Sequence, residues 1–144
     1  MIVKFKKLNE NAKMPQYGTA YSAGADLYSV EDKTVIMPHK TVFIGTGLAM
    51  EIPQGYVGLI FARSGLACKR SLAPANKVGV IDSDYRGEIK VALHNHSDEE
   101  QIIEKGERVA QISIIPYLAV QYEESAELDD TERGQGGFGS TGKV

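Results

Sequence analysis

What most limits the fold of this 144-residue chain is that none of its segments sustains a helical apolar period. About eight or more short apolar or β-branched runs alternate instead with Gly, Pro, Asn and Asp punctuation, and that pattern predicts an all-β architecture. Ile2–Leu8 alternates apolar and basic residues, as an edge strand with lysines toward solvent does. Thr34–Pro38, Lys40–Ile44 and Leu48–Ile52 read as further strands, with Pro53-Gln54-Gly55 as a turn. Tyr56–Ala62 is apolar on both faces, so it should lie deep in a sandwich or against a neighbouring chain. Ile89, Val91 and Leu93 alternate with polar partners, Ser97–Gln101 reads as a loop, and Val109–Tyr117 is expected to be the last strand.

The length suits one domain with a core of its own. A formal net charge of −3 and the lack of a Lys/Arg run exclude a non-specific nucleic-acid binder, so an anionic ligand must be met locally. No apolar stretch approaches the length of a membrane span. A single cysteine, Cys68, permits no internal disulfide and is expected to be a buried or half-buried thiol. With no apolar leader at the N-terminus, the expected compartment is the cytoplasm.

Chemistry concentrates between Asn76 and Lys90. The run Val78–Ile81 delivers Asp82 from its end, and Ser83-Asp84-Tyr85-Arg86-Gly87 follows; a strand, a tight turn and a returning strand are expected. A carboxylate at the mouth of an apolar hairpin is partly desolvated, which suits a general base, although Asp and Ser also build turns by bonding their own backbone. Arg63-Ser64-Gly65 follows a buried strand with a planar fork, a hydroxyl and an unobstructed amide, a set that suits phosphate; Ser64 equally suits the cap of a short helix through Lys69. Asp26 sits among small residues, and Gln111 stands on the polar side of a core strand. His94 and His96 share a strand face, but no third ligand follows at useful spacing, and a polar surface explains them better. Beyond Gln121 an acidic connector leads to Arg133–Val144, whose five glycines predict disorder when free, while its amides, Arg133 and Phe138 could wrap an anion. Gly137–Lys143 imitates the start of a P-loop, but Val144 stands where Ser or Thr is required.

Five stretches, in order, resemble the motifs of the trimeric dUTP diphosphatases, the dUTPases. They are Ala23–Leu27, Ala62–Ala67, Gly79–Asp82 with Tyr85-Arg86-Gly87, Gly106–Gln111, and Arg133–Gly142. One departure is Ala62, where the family usually has proline. The resemblance implies a jelly-roll-like distorted β-barrel over residues 1–122, with residues 123–144 as acidic connector and flexible glycine-rich C-terminal arm. It implies a homotrimer with three active sites shared between chains, and hydrolysis of dUTP to dUMP and diphosphate with Mg²⁺, supplying dUMP and keeping uracil out of DNA.

By the same resemblance, Asp82 deprotonates the water that attacks the α-phosphorus, and Asp26 contacts the water shell of a magnesium held mainly by the phosphates. Arg63, Ser64, Gly65 and Gln111 hold phosphates; Arg133 and the amides near Gly139 close over them from another chain, and Phe138 stacks on uracil. Backbone between Asn76 and Lys90, including Gly79, Val80 and Ile81, reads the base; Tyr85 excludes a 2′-hydroxyl, and Asn76 or backbone nearby reaches the sugar. Two rivals are a deoxycytidine triphosphate deaminase, which needs a glutamate base where Asp82 stands, and a non-catalytic regulator acting through a protein partner. Intact Asp26, Asp82, Gln111 and Arg133 speak against the second, although a regulatory role could accompany catalysis.

Overall fold

The computed structural model describes residues 1–137, and within them the chain is all-β apart from one short helix. In chain order the elements are β1 (Lys4–Lys7), β2 (Gln16–Tyr17), β3 (Ala25–Tyr28), β4 (Lys33–Ile36), β5 (Thr41–Gly45), β6 (Leu48–Glu51), β7 (Tyr56–Phe61), α1 (Ser64–Arg70), β8 (Leu72–Pro74), β9 (Gly79–Ile81), β10 (Lys90–Asn95), β11 (Gln101–Glu104) and β12 (Arg108–Pro116). They form a distorted jelly-roll barrel: a five-stranded sheet β2-β3-β12-β7-β9, a three-stranded sheet β5-β10-β8, and the pairs β1-β6 and β11-β4. All four share one core. Leu27, Ile60 and Ile112 come from the large sheet, Ile44, Leu72 and Leu93 from the three-stranded one, Leu48 and Met50 from β6, and Ile36 and Ile103 from the β4–β11 pair.

The expected hairpin around Asp82 is corrected by this topology. β9 pairs with β7, in the register Gly58↔Ile81, Leu59↔Val80 and Ile60↔Gly79, whereas β10 pairs with β5 and β8. The two arms diverge into different sheets because each has a better partner. Ile89, fully buried, donates its amide to Leu48 O at 2.8 Å, and its carbonyl accepts from Thr46 Oγ1 at 2.6 Å. β9 is thereby left at the edge of the large sheet, one side of its backbone having no strand neighbour among the described residues.

Three further expectations change. Ser64 is the first helical residue and Arg63 occupies the N-cap position without a side-chain cap, so Ser64 does not cap α1. Cys68 is exposed, on the outer face of a one-sided helix that buries only Leu66. Gln101, expected in a loop, begins β11, which pairs with β4. After β12 the described chain has no strand or helix, and every residue from Tyr117 to Gln135 is exposed. No helix among the described residues is long and apolar enough to cross a membrane.

Candidate active site

Of the residues singled out by the sequence, Asp26, Arg63, Ser64 and Gln111 line one open cavity and Val80, Ile81, Asp82, Tyr85 and Lys90 another, whereas Gly65, Asn76, Gly79 and Arg133 line neither. The first, about 330 Å³, lies where β3, β12 and the start of α1 meet and is lined by Gly18, Ser22, Ala23, Gly24, Asp26, Arg63, Ser64, Arg108 and Gln111. Asp26 is buried at its wall on β3, opposite Gln111 in the ladder with β12. Its Oδ1 accepts from Arg63 Nε at 2.7 Å and its Oδ2 from Arg108 Nη1 at 3.3 Å. Gln111 Nε2 donates to Ala62 O at 2.8 Å, leaving its second amide hydrogen for a ligand. Gly24 makes room for that amide, since a Cβ there would stand 2.4 Å from Gln111 Oε1. At Gly65 an added Cβ would meet nothing of the described residues within 4 Å. The fold therefore makes no steric demand for that glycine, and the open space suits close approach of an anion to backbone.

The second cavity, about 490 Å³, lies between the diverging arms and is lined by Phe43, Val80, Ile81, Asp82, Tyr85, Glu88 and Lys90. The Tyr85 hydroxyl donates to Glu88 O at 3.0 Å, closing the loop on itself, and Gly87 is the residue that tolerates the ring: a Cβ there would meet the phenol oxygen at 2.4 Å. Glu88 Oε1 accepts from Gly47 N at 2.9 Å and its Oε2 lies 3.5 Å from Lys90 Nζ, so the return arm is anchored to the β5–β6 turn. Asn76 is exposed just before β9, next to Lys77 at φ 65°. Asp82 is exposed; the desolvation expected for it is not supplied by the described residues.

One distance organises the rest. Ile81, the last residue of β9, pairs with Gly58, and Asp82 follows it toward Val57, whereas Arg63 lies beyond the other end of β7, so the two backbones are separated by roughly 16–20 Å along the strand at about 3.3 Å per residue. The two cavities thus sit toward opposite ends of β7 and share no lining residue. Arg133 donates through Nε to Gly136 O at 2.8 Å, within its own segment; Phe138 and Gly139 lie outside the described residues.

Sequence reasoning missed Phe43, Glu88 and Arg108. An exposed aromatic at the centre of a strand was the available signal for Phe43, which is 70% exposed. For a metal, the described residues contain no group of three or more His, Cys, Asp or Glu able to hold one. Asp26 is the one acid among the described residues lining the first cavity, and arginines take both its oxygens. Such a donor set fits a Mg²⁺ that arrives on phosphates and is met through water, which is how this reluctantly dehydrated ion is commonly held.

The dUTPase family model matches residues 10–142. The deoxyuridine 5'-triphosphate nucleotidohydrolase of Nautilia profundicola is 54% identical over 143 residues, 99% of this chain and 100% of its own, and that of Hydrogenobaculum sp. is 53% identical over 137 residues, 95% of each. Among solved structures, the dUTPase of Staphylococcus bacteriophage 80alpha with dUPNHPP superposes with a TM-score of 0.90 at 32% identity over 98% of each chain; phage dUTPases are described there as controlling transfer of virulence genes. A mutant dUTPase of phage phi11 of S. aureus, whose structure details the coordination of a structural Mg(II) ion, gives 0.81 at 27% identity over 88% of this chain and 98% of that one. With its motifs in order and its relatives matched end to end, the chain belongs to the dUTPase family.

Proposed function

We propose that this protein is a dUTP diphosphatase that hydrolyses dUTP to dUMP and diphosphate, in a homotrimer whose sites combine the Asp82 cavity of one chain with the Arg63 cavity of another. The observation that carries the reading is that the Asp82 and Arg63 cavities lie toward opposite ends of β7 and share no lining residue among those described, with Arg63 Nε held on Asp26, so one chain does not bring the two groups together. A neighbouring chain closes that gap and also dries the exposed Asp82 carboxylate.

In this reading Asp82 orients a water and takes its proton as the oxygen attacks the α-phosphorus, and the bond from that phosphorus to the bridging oxygen breaks to release diphosphate. Arg63, Ser64, the Gly65 amide and the free hydrogen of Gln111 hold the phosphates, and Asp26 holds the water shell of the accompanying ion. When bound, Mg²⁺ offsets charge on the triphosphate and on the leaving diphosphate. Uracil presents acceptor, donor and acceptor along its pairing edge, which the unpaired side of β9 at Gly79–Ile81, with Asn76 and Lys90 nearby, is suited to match. Cytosine offers a donor where uracil has O4, and buried polar groups left facing the wrong partner reject it by up to about 10⁴-fold. Arg133, Phe138 and Gly139 of the C-terminal arm close the site.

The test is diphosphate release from each deoxynucleoside triphosphate in turn, with and without Mg²⁺. Release confined to dUTP and dependent on the ion is expected; comparable release from dCTP or dTTP overturns the assignment.

A further inference from the structure

Arg108 is where the strand β12 departs from regular alternation. Residues 110 and 112 face the core, so an unbroken pleat would put residue 108 on the core face with them. The register instead shifts between Arg108 and Ala110: Arg108 pairs with Tyr28 while Ala110 pairs with Leu27, one extra residue on β12. This bulge turns Arg108 onto the face that Gln111 and Asp26 share, and bulges beside active sites commonly re-aim a side chain in this way. Arg108 then lines the first cavity and donates to Asp26 Oδ2.

The charges explain what such a device achieves. The Asp26 side chain is 12% exposed, against 25% for Arg63 and 52% for Arg108. A nearly buried carboxylate stripped of its only cation is strongly disfavoured. Arg63 alone would therefore be confined to neutralising Asp26. A second arginine makes the cluster of Arg63, Arg108 and Asp26 net positive, with Arg63 free to aim its terminal nitrogens at an anion while Asp26 stays in place.

We propose that Arg108 is a positioning residue for the triphosphate end of the site, fixing the Asp26 carboxylate toward the ion-bearing phosphates and releasing Arg63 to bind them; this rests on the dUTP diphosphatase reading above. The experiment is calorimetric titration of the full-length wild type, Arg108→Ala and Arg108→Lys with dUMP and with the imido analogue dUPNHPP, each with and without Mg²⁺. In wild type, Mg²⁺ should tighten binding of the analogue. Arg108→Ala should weaken analogue binding in Mg²⁺ by about tenfold or more, the scale on which losing a group that orients the surroundings of a bound ion is felt. It should leave dUMP affinity unchanged, because dUMP lacks the phosphates concerned. Arg108→Lys, which keeps the charge and a single donor, should recover most of the loss. Equal weakening of dUMP and analogue would mean a loosened barrel, and an unchanged gain from Mg²⁺ in Arg108→Ala, or no recovery with Lys, would equally overturn the role. A wild type that binds neither probe instead removes the diphosphatase reading itself.

Discussion

At the scale of single residues, the proposed chemistry turns on Asp82, an acid that the described residues leave in solvent. Asp82→Asn keeps the shape but cannot take a proton, so hydrolysis should fall by about 10³-fold or more while dUPNHPP binding persists. Steady-state rates with calorimetric binding decide this, and substantial residual turnover would remove Asp82 from the role. Gly87 and Tyr85 form a second unit. A methyl on Gly87 collides with the phenol, so Gly87→Ala should push the ring aside and, like Tyr85→Ala, erode selection against UTP more than it weakens dUTP binding. The ratio of kcat/KM for the two nucleotides is the readout, and an unaltered ratio assigns sugar selection to another group. A third residue reports pH. Desolvation first, then His94, whose ring lies 4.4 Å away edge to face, and then Lys77 and His39, hold the His96 imidazole below the ordinary histidine range. The stability this contributes is full above the unfolded value near pH 6.5 and is lost as pH falls through the lowered folded value. His96→Gln should therefore flatten the decline of Tm between pH 7 and 5, and coincident curves for the two proteins would exclude the effect.

At the scale of elements, the runs with clear apolar content were legible: β4 through β7, β9, β10 and β12 all fall on stretches the sequence marks as strand. β2, β8 and β11 were not, for physical reasons. β2 has two residues, β8 ends at Pro74, and β11 offers only Ile102 and Ile103 between Gln101 and Glu104, too short for either period to register. The Asp82 loop misled for another reason. Its local signals are those of a hairpin, but Leu48 and Thr46 capture Ile89, and that competition is invisible in a local reading. The end of β10 shows how such long-range ties are secured. Asn95, fully buried, donates through Nδ2 to Ile36 O at 3.0 Å and Glu99 O at 2.7 Å, and its Oδ1 accepts from Ser97 N at 2.9 Å. Asn95→Ala leaves the Ile36 carbonyl without this donor and a void beside β4, and should cost about 2–3 kcal/mol. A fall in urea midpoint at unchanged slope and fixed protein concentration would show it; an unmoved midpoint would mean that water replaces the amide.

At the scale of the whole molecule, the sequence names the groups of the site but cannot say which chain each one serves. Ala62-Arg63-Ser64 and Ile81-Asp82 look like parts of one centre when read as motifs, yet β7 holds them toward its opposite ends. The protomer also leaves apolar surface uncovered. Phe5, Met14, Tyr17, Ile115 and Tyr117 are exposed, and β7, apolar on both faces, buries only Gly58 and Ile60 fully. Both features would be met by the homotrimer proposed above, in which a cyclic arrangement gives each end of every chain a neighbour. This arrangement makes a quantitative prediction from two inactive proteins. Asp82→Asn lacks the base but keeps Arg63; Arg63→Ala keeps the base but lacks the phosphate fork. If one site takes Asp82 from one chain and Arg63 from the next, every mixed trimer contains one junction at which both residues are sound, whichever variant is in the majority. Random reassembly of equal amounts should then restore about a quarter of wild-type activity, since each half of a site is sound with a probability of one half. If Asp82 and Arg63 of the same chain served the same site, no junction would be sound. Refolding the two together, verifying mixed trimers by mass and assaying dUTP hydrolysis separates these outcomes, and mixed trimers without activity would exclude the shared site.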